Sequence, residues 1–585
     1  MEAFPTTGEE YVPSLEEDPA LGLSQREKLE VLFAVMLGLF LGALDQTIVG
    51  PALPTIVTQL SGNDYYVWAV TIYLLTSTIT VPFWGKGSDI YGRKPVFMLG
   101  ITIFLIGSAL SGLSQNMAML IIFRGIQGVG AGALFPVALA IIGDLFTPAE
   151  RGKYQGLFGA VFGVAFVAGP LIGGFLTENL SWHWIFYVNI PIGIIALIVI
   201  QRLLPTVRTP SASRNFDILG GGIFTVAITL LLIGLTNKGL PDATGALNDW
   251  TDPSVGGLII AGLIGCLVFI AAEARAKEPI VPLHLWRSRT YSASMVSTFF
   301  AAFAFFGAIV FLPRWFQVVQ SFTPTNSGFA ALPLVIGLIG SSIASGLIVA
   351  RTGRYKWLLV GSMAMLGIGV ALMTQLTKDT PLPVLWLWMF IAGLGVGPTF
   401  SVFTIVIQNA VPFKELGVAT SNLTFFRQIG GSVALAFVGT IFAQSFTDDL
   451  IPQFRAAGVP EPLIQGFQQN SGSFDVAQLT GVGDISAALA KVLPPEAQQF
   501  IPNIIQGIHG AFSLATAQTF WLGVIGAVLA VGAGLFIKEI PLRQSNAAPI
   551  PTEAIGAAGA QGQPATSGTA ASSAPTGGSA ATTTD

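Results

Sequence analysis

From Val31 to Ile537 the sequence consists of long apolar runs separated by short polar breaks. About 20 apolar residues in helical form cross the roughly 30 Å of hydrocarbon in a bilayer. The pattern predicts helices over 31–55, 67–84, 95–114, 117–143, 155–176, 184–204, 218–236, 256–273, 291–312, 328–350, 357–376, 384–408, 416–443 and 512–537. The runs are continuous, whereas a membrane β-barrel needs alternating segments of about ten residues. The fold class expected is therefore an all-α integral membrane protein with fourteen transmembrane helices.

Composition agrees, with 52% hydrophobic and 10% charged residues and a mean hydropathy of +0.70, outside the range of soluble domains. The first 30 residues are acidic and turn-rich, without the basic stretch and cleavage site of a signal peptide, so predicted helix 1 is expected to be retained. Lys and Arg decide orientation. With both termini in the cytoplasm, 20 of the 27 basic residues fall on the inner side or its helix ends, while Arg124 and Arg427 lie within spans. A net charge of −4 gives no reason to expect a nucleic-acid partner. His183, His284 and His509 are scattered and Cys266 is alone, so neither a metal site nor an internal disulfide is expected.

An internal repeat organises the chain. GVGAGALFPV…TPAERG (128–137, 147–152) matches GLGVGPTFSV…PFKELG (393–402, 412–417) at an offset of 265 residues, and GKGSDIYGRK (85–94) echoes GLIVARTGRY (346–355). In each case the matched helices are eight apart, which preserves their direction, so the repeats are parallel and related by a pseudo-twofold axis along the membrane normal. The expected segments are a cytoplasmic lead-in over 1–30, a six-helix bundle over 31–204, and linkers with inserted helices 7 and 8 over 205–290. A second six-helix bundle follows over 291–540. It includes an extracytoplasmic loop, 445–511, expected to form a small helical cap. Residues 541–585 form a tail rich in Ala, Gly, Ser, Thr and Pro, expected to be disordered and cytoplasmic.

The stretches LDQTIVGPALP (44–54), GKGSDIYGRKP (85–95), FRGIQGVGAG (123–132) and AGPLIGG (168–174) resemble the signature motifs of the major facilitator superfamily. The helix-1 stretch, the count of fourteen and SWHWIFYVNIPIG (181–193) resemble its fourteen-helix drug:proton antiporter branch. The resemblance covers roughly 30–540 and implies alternating access between the two bundles, with the proton as coupling ion and no other cofactor.

Asp45 and Arg124 are the residues of greatest interest, since an ionised group deep in a bilayer is costly unless paired. At 1.5 Å per residue, Asp45 in outward-running helix 1 and Arg124 in inward-running helix 4 reach a shared depth. They form either a permanent clamp or a proton-coupling pair, and the resemblance implies the second. Gly85, Asp89, Gly92 and Arg93 are expected to form a cytoplasmic gate. Ala350 stands where the second repeat would carry the equivalent of Asp89, so such a latch would be asymmetric. In helix 5, Gly163, Gly169, Pro170, Gly173 and Gly174 form the antiporter motif, expected to kink and pack tightly as a seal between the halves. Arg427 has no acidic neighbour inside a second-half span. Either it reaches backbone carbonyls and Asn422 or Gln428, or it lines the substrate cavity. Gln46, Tyr73, Gln127, Asn422, Arg427 and Gln428 are the candidate cavity groups, and their scarcity suits a hydrophobic, loosely discriminated ligand.

The expected function is proton-coupled export of hydrophobic or amphipathic small molecules across the cytoplasmic membrane by a monomer. No ATP-binding loop and no paired catalytic groups are visible, so an enzyme is not expected. Export of an amphipathic lipid or endogenous metabolite is the alternative, and a non-transporting receptor on the same scaffold the remote one.

Overall fold

The computed structural model describes residues 23–60, 66–204, 216–238, 248–309, 311–469 and 485–543. Most of the lead-in (1–22), of the first linker (205–215) and of the tail (544–585), together with 470–484 of the predicted loop, lie outside the described residues. Every regular element described is helical, and fourteen helices have at least 15 residues. They are α1 (Gln25–Gln59), α2 (Tyr66–Tyr91), α3 (Arg93–Gly112), α4 (Met117–Leu145), α5 (Pro148–Asn179), α6 (Asn189–Leu203), α7 (Ile218–Lys238), α8 (Leu258–Glu273), α9 (Arg289–Ile309), α10 (Leu332–Thr352), α11 (Lys356–Met373), α12 (Leu382–Ala410), α13 (Leu416–Ala456) and α14 (Ile501–Leu535).

Thirteen of these, some of them counted together with the short helical segments that adjoin them, as in Trp184–Leu203 and Pro253–Glu273, are long and apolar enough to cross a membrane. The other, α2, is 26 residues long. Its apolar run is interrupted by hydroxyls that bond back to the helix, with Thr76 donating to the Ile72 carbonyl at 2.9 Å and Thr80 to that of Thr76 at 2.8 Å. Local signals set the helix ends. Ser24 and Glu27 form a capping box at the start of α1, and Thr147 and Glu150 form another at α5. Gly92, with φ of 93°, makes the one-residue reversal from α2 to α3, and Gly353, with φ of 67°, ends α10.

Packing follows the repeat. The pairs α1·α5, α1·α6, α2·α4 and α3·α4 in the first half recur as α9·α13, α9·α14, α10·α12 and α11·α12 in the second. The halves meet where the fifth helix of each crosses to the other, with α5 against α10 and α12, and α13 against α2 and α4. Inserted α7 and α8 pack on each other, and Phe224 and Ile228 of α7 join Leu75 and Ile79 of α2 and Phe425 and Ile429 of α13 in one buried apolar cluster. The insert thus lies beside the α2·α13 seam.

The predicted outer loop requires a correction. Helix α13 runs on to Ala456 and α14 begins at Ile501, so both ends of 445–511 are helical extensions. Between them lie short helices Glu461–Gln469 and Ile485–Val492. Phe454, Ile464, Leu489 and Ile504 are buried there, continuous with the second bundle's core, so the expected small cap is present but smaller.

Candidate functional site

Asp45 is fully buried and Arg124 is 2% exposed. Arg124 Nη1 donates to Asp45 Oδ2 at 2.7 Å, so the depth inferred for both residues holds. The other carboxylate oxygen accepts from Gln127 Nε2 at 2.7 Å and Asn189 Nδ2 at 3.0 Å. Arg124 also donates to Gln127 Oε1 at 2.9 Å, and its guanidinium lies 4.2 Å from the centre of the Tyr73 ring. Asn189 bridges on to Ser108 at 3.1 Å, whose hydroxyl donates to the Phe186 carbonyl at 2.9 Å. Helices α1, α2, α3, α4 and α6 all contribute. Removing one partner from a buried ion pair costs about 3–5 kcal/mol, so this network holds the first bundle together while the aspartate is charged. It is nevertheless incomplete, since Arg124 Nε and Asn189 Oδ1 find no hydrogen-bond partner among the described residues.

Two residues assigned to the cavity from the sequence, Tyr73 and Gln127, are placed around this carboxylate, with the half-buried Gln46 next to it in the chain. Asn189 and Ser108 were not singled out from the sequence. The only signal for Asn189 was its place in WIFYVNIPIG, which drew attention as a motif and not as a ligand.

Immediately after Asp45, α1 meets α5. Thr47 Oγ1 donates to the Ala165 carbonyl at 2.8 Å. A Cβ on Gly169 would collide with Thr47, and one on Gly173 with the Ile48 carbonyl. Farther down α5, Gly163 lies against Ile339 and Val335 of α10, Gly159 against Ser342, and Gly152 against the Gly346 backbone. The expected seal is therefore divided. Gly163 and the glycines before it pack between the halves, while Gly169 and Gly173 pack within the first half, against the helix that bears Asp45. Gly174 faces only Thr325 at ordinary contact distance, and Pro170 lies beside Gly328 while α5 stays helical through it.

The α2·α13 seam carries a lock at the end of the molecule where α1 begins. Asp89 accepts from the backbone N–H of Gly417 at 3.1 Å and of Val418 at 2.9 Å, in the first turn of α13. Those N–H groups have no helical acceptor and sit at the positive end of the helix dipole, a natural seat for a carboxylate. Arg93 pairs with Asp89, with Asp144 at 2.8 Å and with Ser88 at 2.7 Å. Gly85 packs against Ser421 and the Gly417 carbonyl. Gly85, Asp89 and Arg93 thus meet α13 at one place, while Gly92 makes the turn between α2 and α3.

In the pseudo-equivalent α5·α10 seam the corresponding contact is backbone on backbone. Gly346, the counterpart of Gly85, packs against Gly152, the counterpart of Gly417, and Ser342 donates to the Gly156 carbonyl at 3.0 Å. Ala350 contacts Gly152 there, so the latch is asymmetric in space as well as in sequence. Further cross-links at this end run from Gln155 Nε2 to Gln408 Oε1 at 2.7 Å and from Gln408 Nε2 to the Leu139 carbonyl at 2.9 Å. Neither glutamine was visible as a functional residue in the sequence.

In the second half, Asn422 is buried and donates to the Tyr291 hydroxyl at 2.9 Å. Among the described residues Arg427 hydrogen-bonds to neither Asn422 nor Gln428. Its Nη2 donates to the Thr399 carbonyl at 3.2 Å, and the guanidinium lies 4.6 Å from the centre of the Phe400 ring. Gln428 is half-buried, and its Oε1 is without a partner among the described residues.

Two repeated helical bundles that meet along small-residue seams, with a charge pair buried in one of them, define an all-helical membrane protein of the two-bundle type. Residues 35–435 match the family model described as Major Facilitator Superfamily, and the chain belongs to that superfamily. It is 37% identical over 536 residues to the multidrug transporter protein MdtP of Bacillus subtilis (strain 168), covering 89% of this chain and 95% of that protein. It is 33% identical over 509 residues to multidrug resistance protein 3 of the same organism, covering 87% and 95%. A solved bacterial homologue of the human lysosomal transporter Spinster, in an inward-facing and unoccupied conformation, matches with a TM-score of 0.53 at 16% identity over 88% of this chain and 98% of its own. At that identity the likeness concerns the fold alone.

Proposed function

We propose that the chain is a proton-coupled exporter that exchanges inward protons for outward hydrophobic or amphipathic small molecules across the cytoplasmic membrane. The observation that carries this reading is the continuity from Asp45 through α5 to the inter-bundle seam. Thr47 and Ile48, two and three residues after the carboxylate, seat on Gly169 and Gly173 of α5, while α5 also presents Gly152 to α10. The Lys/Arg distribution assigns the Asp89 end to the cytoplasm. The arrangement described is then closed toward the cytoplasm, ready to release substrate and take up a proton outside.

Protonation removes the charge that Arg124, Gln127 and Asn189 share. The released Arg124 has the Tyr73 ring beside it, so the first bundle relaxes without leaving a bare cation. Because α1 and α5 pack closely through Thr47 and the Ile48 backbone on Gly169 and Gly173, a shift of α1 is passed to α5 and so to the α5·α10 seam. The Asp89 lock then opens, and the cavity faces the cytoplasm. Each proton crossing 100 mV supplies about 2.3 kcal/mol, enough for roughly a 50-fold gradient of a neutral solute at one-to-one exchange. Names of the relatives, two of them multidrug transporters, support the substrate class.

Dye counterflow in proteoliposomes, with and without an imposed pH gradient, tests the reading. Accumulation against the dye gradient is expected only when protons run the other way. Accumulation indifferent to the pH gradient would refute antiport.

A further inference from the structure

We infer that Arg427 is an anion subsite in the substrate path, and that the molecules exported are amphipathic organic monoanions with an apolar, ring-bearing body. This deepens the export reading and rests on it.

Arg427 lies eleven residues into α13, about 16 Å from its start at 1.5 Å per residue, which is near mid-membrane. Other buried arginines are compensated. Arg124 has Asp45, and Arg543 donates to the Gln408 and Val411 carbonyls at the end of α12, where helix carbonyls are free. Arg427 has neither kind of partner. Among the described residues no carboxylate lies within ion-pair distance of it, and the Thr399 carbonyl is inside α12, where carbonyls already accept a helical N–H. An arginine does not shed its proton to escape this cost, so a charged fork stays largely buried in the interior of the protein.

The surroundings fit the body of such a ligand. Phe400 of α12 lies 5.1 Å from Phe162 of α5 and 6.5 Å from Phe305 of α9, and Phe162 lies 5.0 Å from Phe135 of α4, all as ring-centre distances. These rings come from both halves, so this cluster is where the bundles meet at mid-depth. Phe162 and Phe305 are only partly buried. One cation beside a multi-ring apolar wall recognises one negative group on a hydrophobic molecule. A dication would meet repulsion there, and a neutral solute would leave Arg427 as it is.

Two probes share a skeleton and differ in one sulfonate, namely anilinonaphthalene sulfonate and neutral phenylnaphthylamine. Gradient-driven transport of both is measured in proteoliposomes of wild type, Arg427→Gln, Arg427→Lys and Asp45→Asn. Wild type is expected to move the sulfonate with the lower KM. Arg427→Gln should raise that KM at least about tenfold, as loss of a charge-assisted hydrogen bond requires, while phenylnaphthylamine changes less than about twofold, and Arg427→Lys should recover most of the difference. Equal loss for both probes would overturn the inference and leave Arg427 a packing residue. So would wild type that moves phenylnaphthylamine but not the sulfonate, a comparison that needs no variant to fold. Failure of the export reading looks different, with neither probe responding to the gradient and Asp45→Asn indistinguishable from wild type.

Discussion

Replacing Asp89 with asparagine isolates what the lock contributes to the cytoplasm-closed state. The amide keeps one oxygen as an acceptor for α13, but its NH₂ group now faces a backbone N–H of Gly417 or Val418, donor against donor. One charge-assisted hydrogen bond, about 1.5–3 kcal/mol, is lost, together with a charge–dipole interaction of about 0.3–1 kcal/mol. Arg93 keeps Asp144, and a released carboxylate would have regained water on opening, which offsets part of the loss. A net change of about 2–3 kcal/mol shifts the closed-to-open ratio by roughly 30- to 150-fold. Spin labels at the exposed positions Tyr91 and Lys414, in a Cys266→Ser background, report the separation of α2 and α13 at this end. Pulsed electron-spin distance measurements should show the short population giving way to a longer one in Asp89→Asn. An unchanged distribution would refute the claim that these two N–H contacts hold the seam.

The same geometry makes sharper demands elsewhere. Gly173→Ala should abolish transport and lower thermal stability, because the new methyl meets the Ile48 carbonyl, whereas Gly174→Ala one position on should be nearly silent, its nearest neighbour being 3.5 Å away; transport rate and Tm of the two variants decide this. Ala350→Asp should weaken the protein and not create a second lock. Gly152 lies beyond the first turn of α5, so its N–H is already bonded within the helix, and the Ala350 Cβ is 3.0 Å from where a Gly152 Cβ would stand; a rise in Tm or in the closed population would contradict this.

Much of this architecture was legible in the sequence because it rests on strong, local signals. Apolar runs placed the helices, the 265-residue offset placed the halves, and helical rise brought Asp45 and Arg124 to one depth. The errors have physical causes. The hydropathy pattern stopped predicted helix 13 before Thr447, Asp448 and Asp449, but a helix leaving the membrane needs no apolar face beyond what Phe446 and Phe454 bury in the cap. The loop expected over 445–511 covers the start of α14, where Pro502 sits in the first helical turn, a position that tolerates proline. Asn189, Gln155 and Gln408 carry no periodic signal, since a lone amide in a helix declares a role only when its partner on another helix is known. The split of the α5 glycines between α1 and α10 was likewise hidden, because small-residue spacing tells how closely a helix packs but not against which neighbour.

The central claim is that the Asp45–Arg124 bond opens once per cycle to admit a proton. Asp45→Asn fixes the site in its neutral form while leaving an amide to accept from Arg124, so folding should survive. Solute transport by this variant, compared with wild type in proteoliposomes under an inward-directed proton gradient and under a solute gradient alone, tests it most directly. The account predicts that downhill exchange persists while uphill, gradient-driven accumulation disappears; uphill accumulation retained by Asp45→Asn would contradict it.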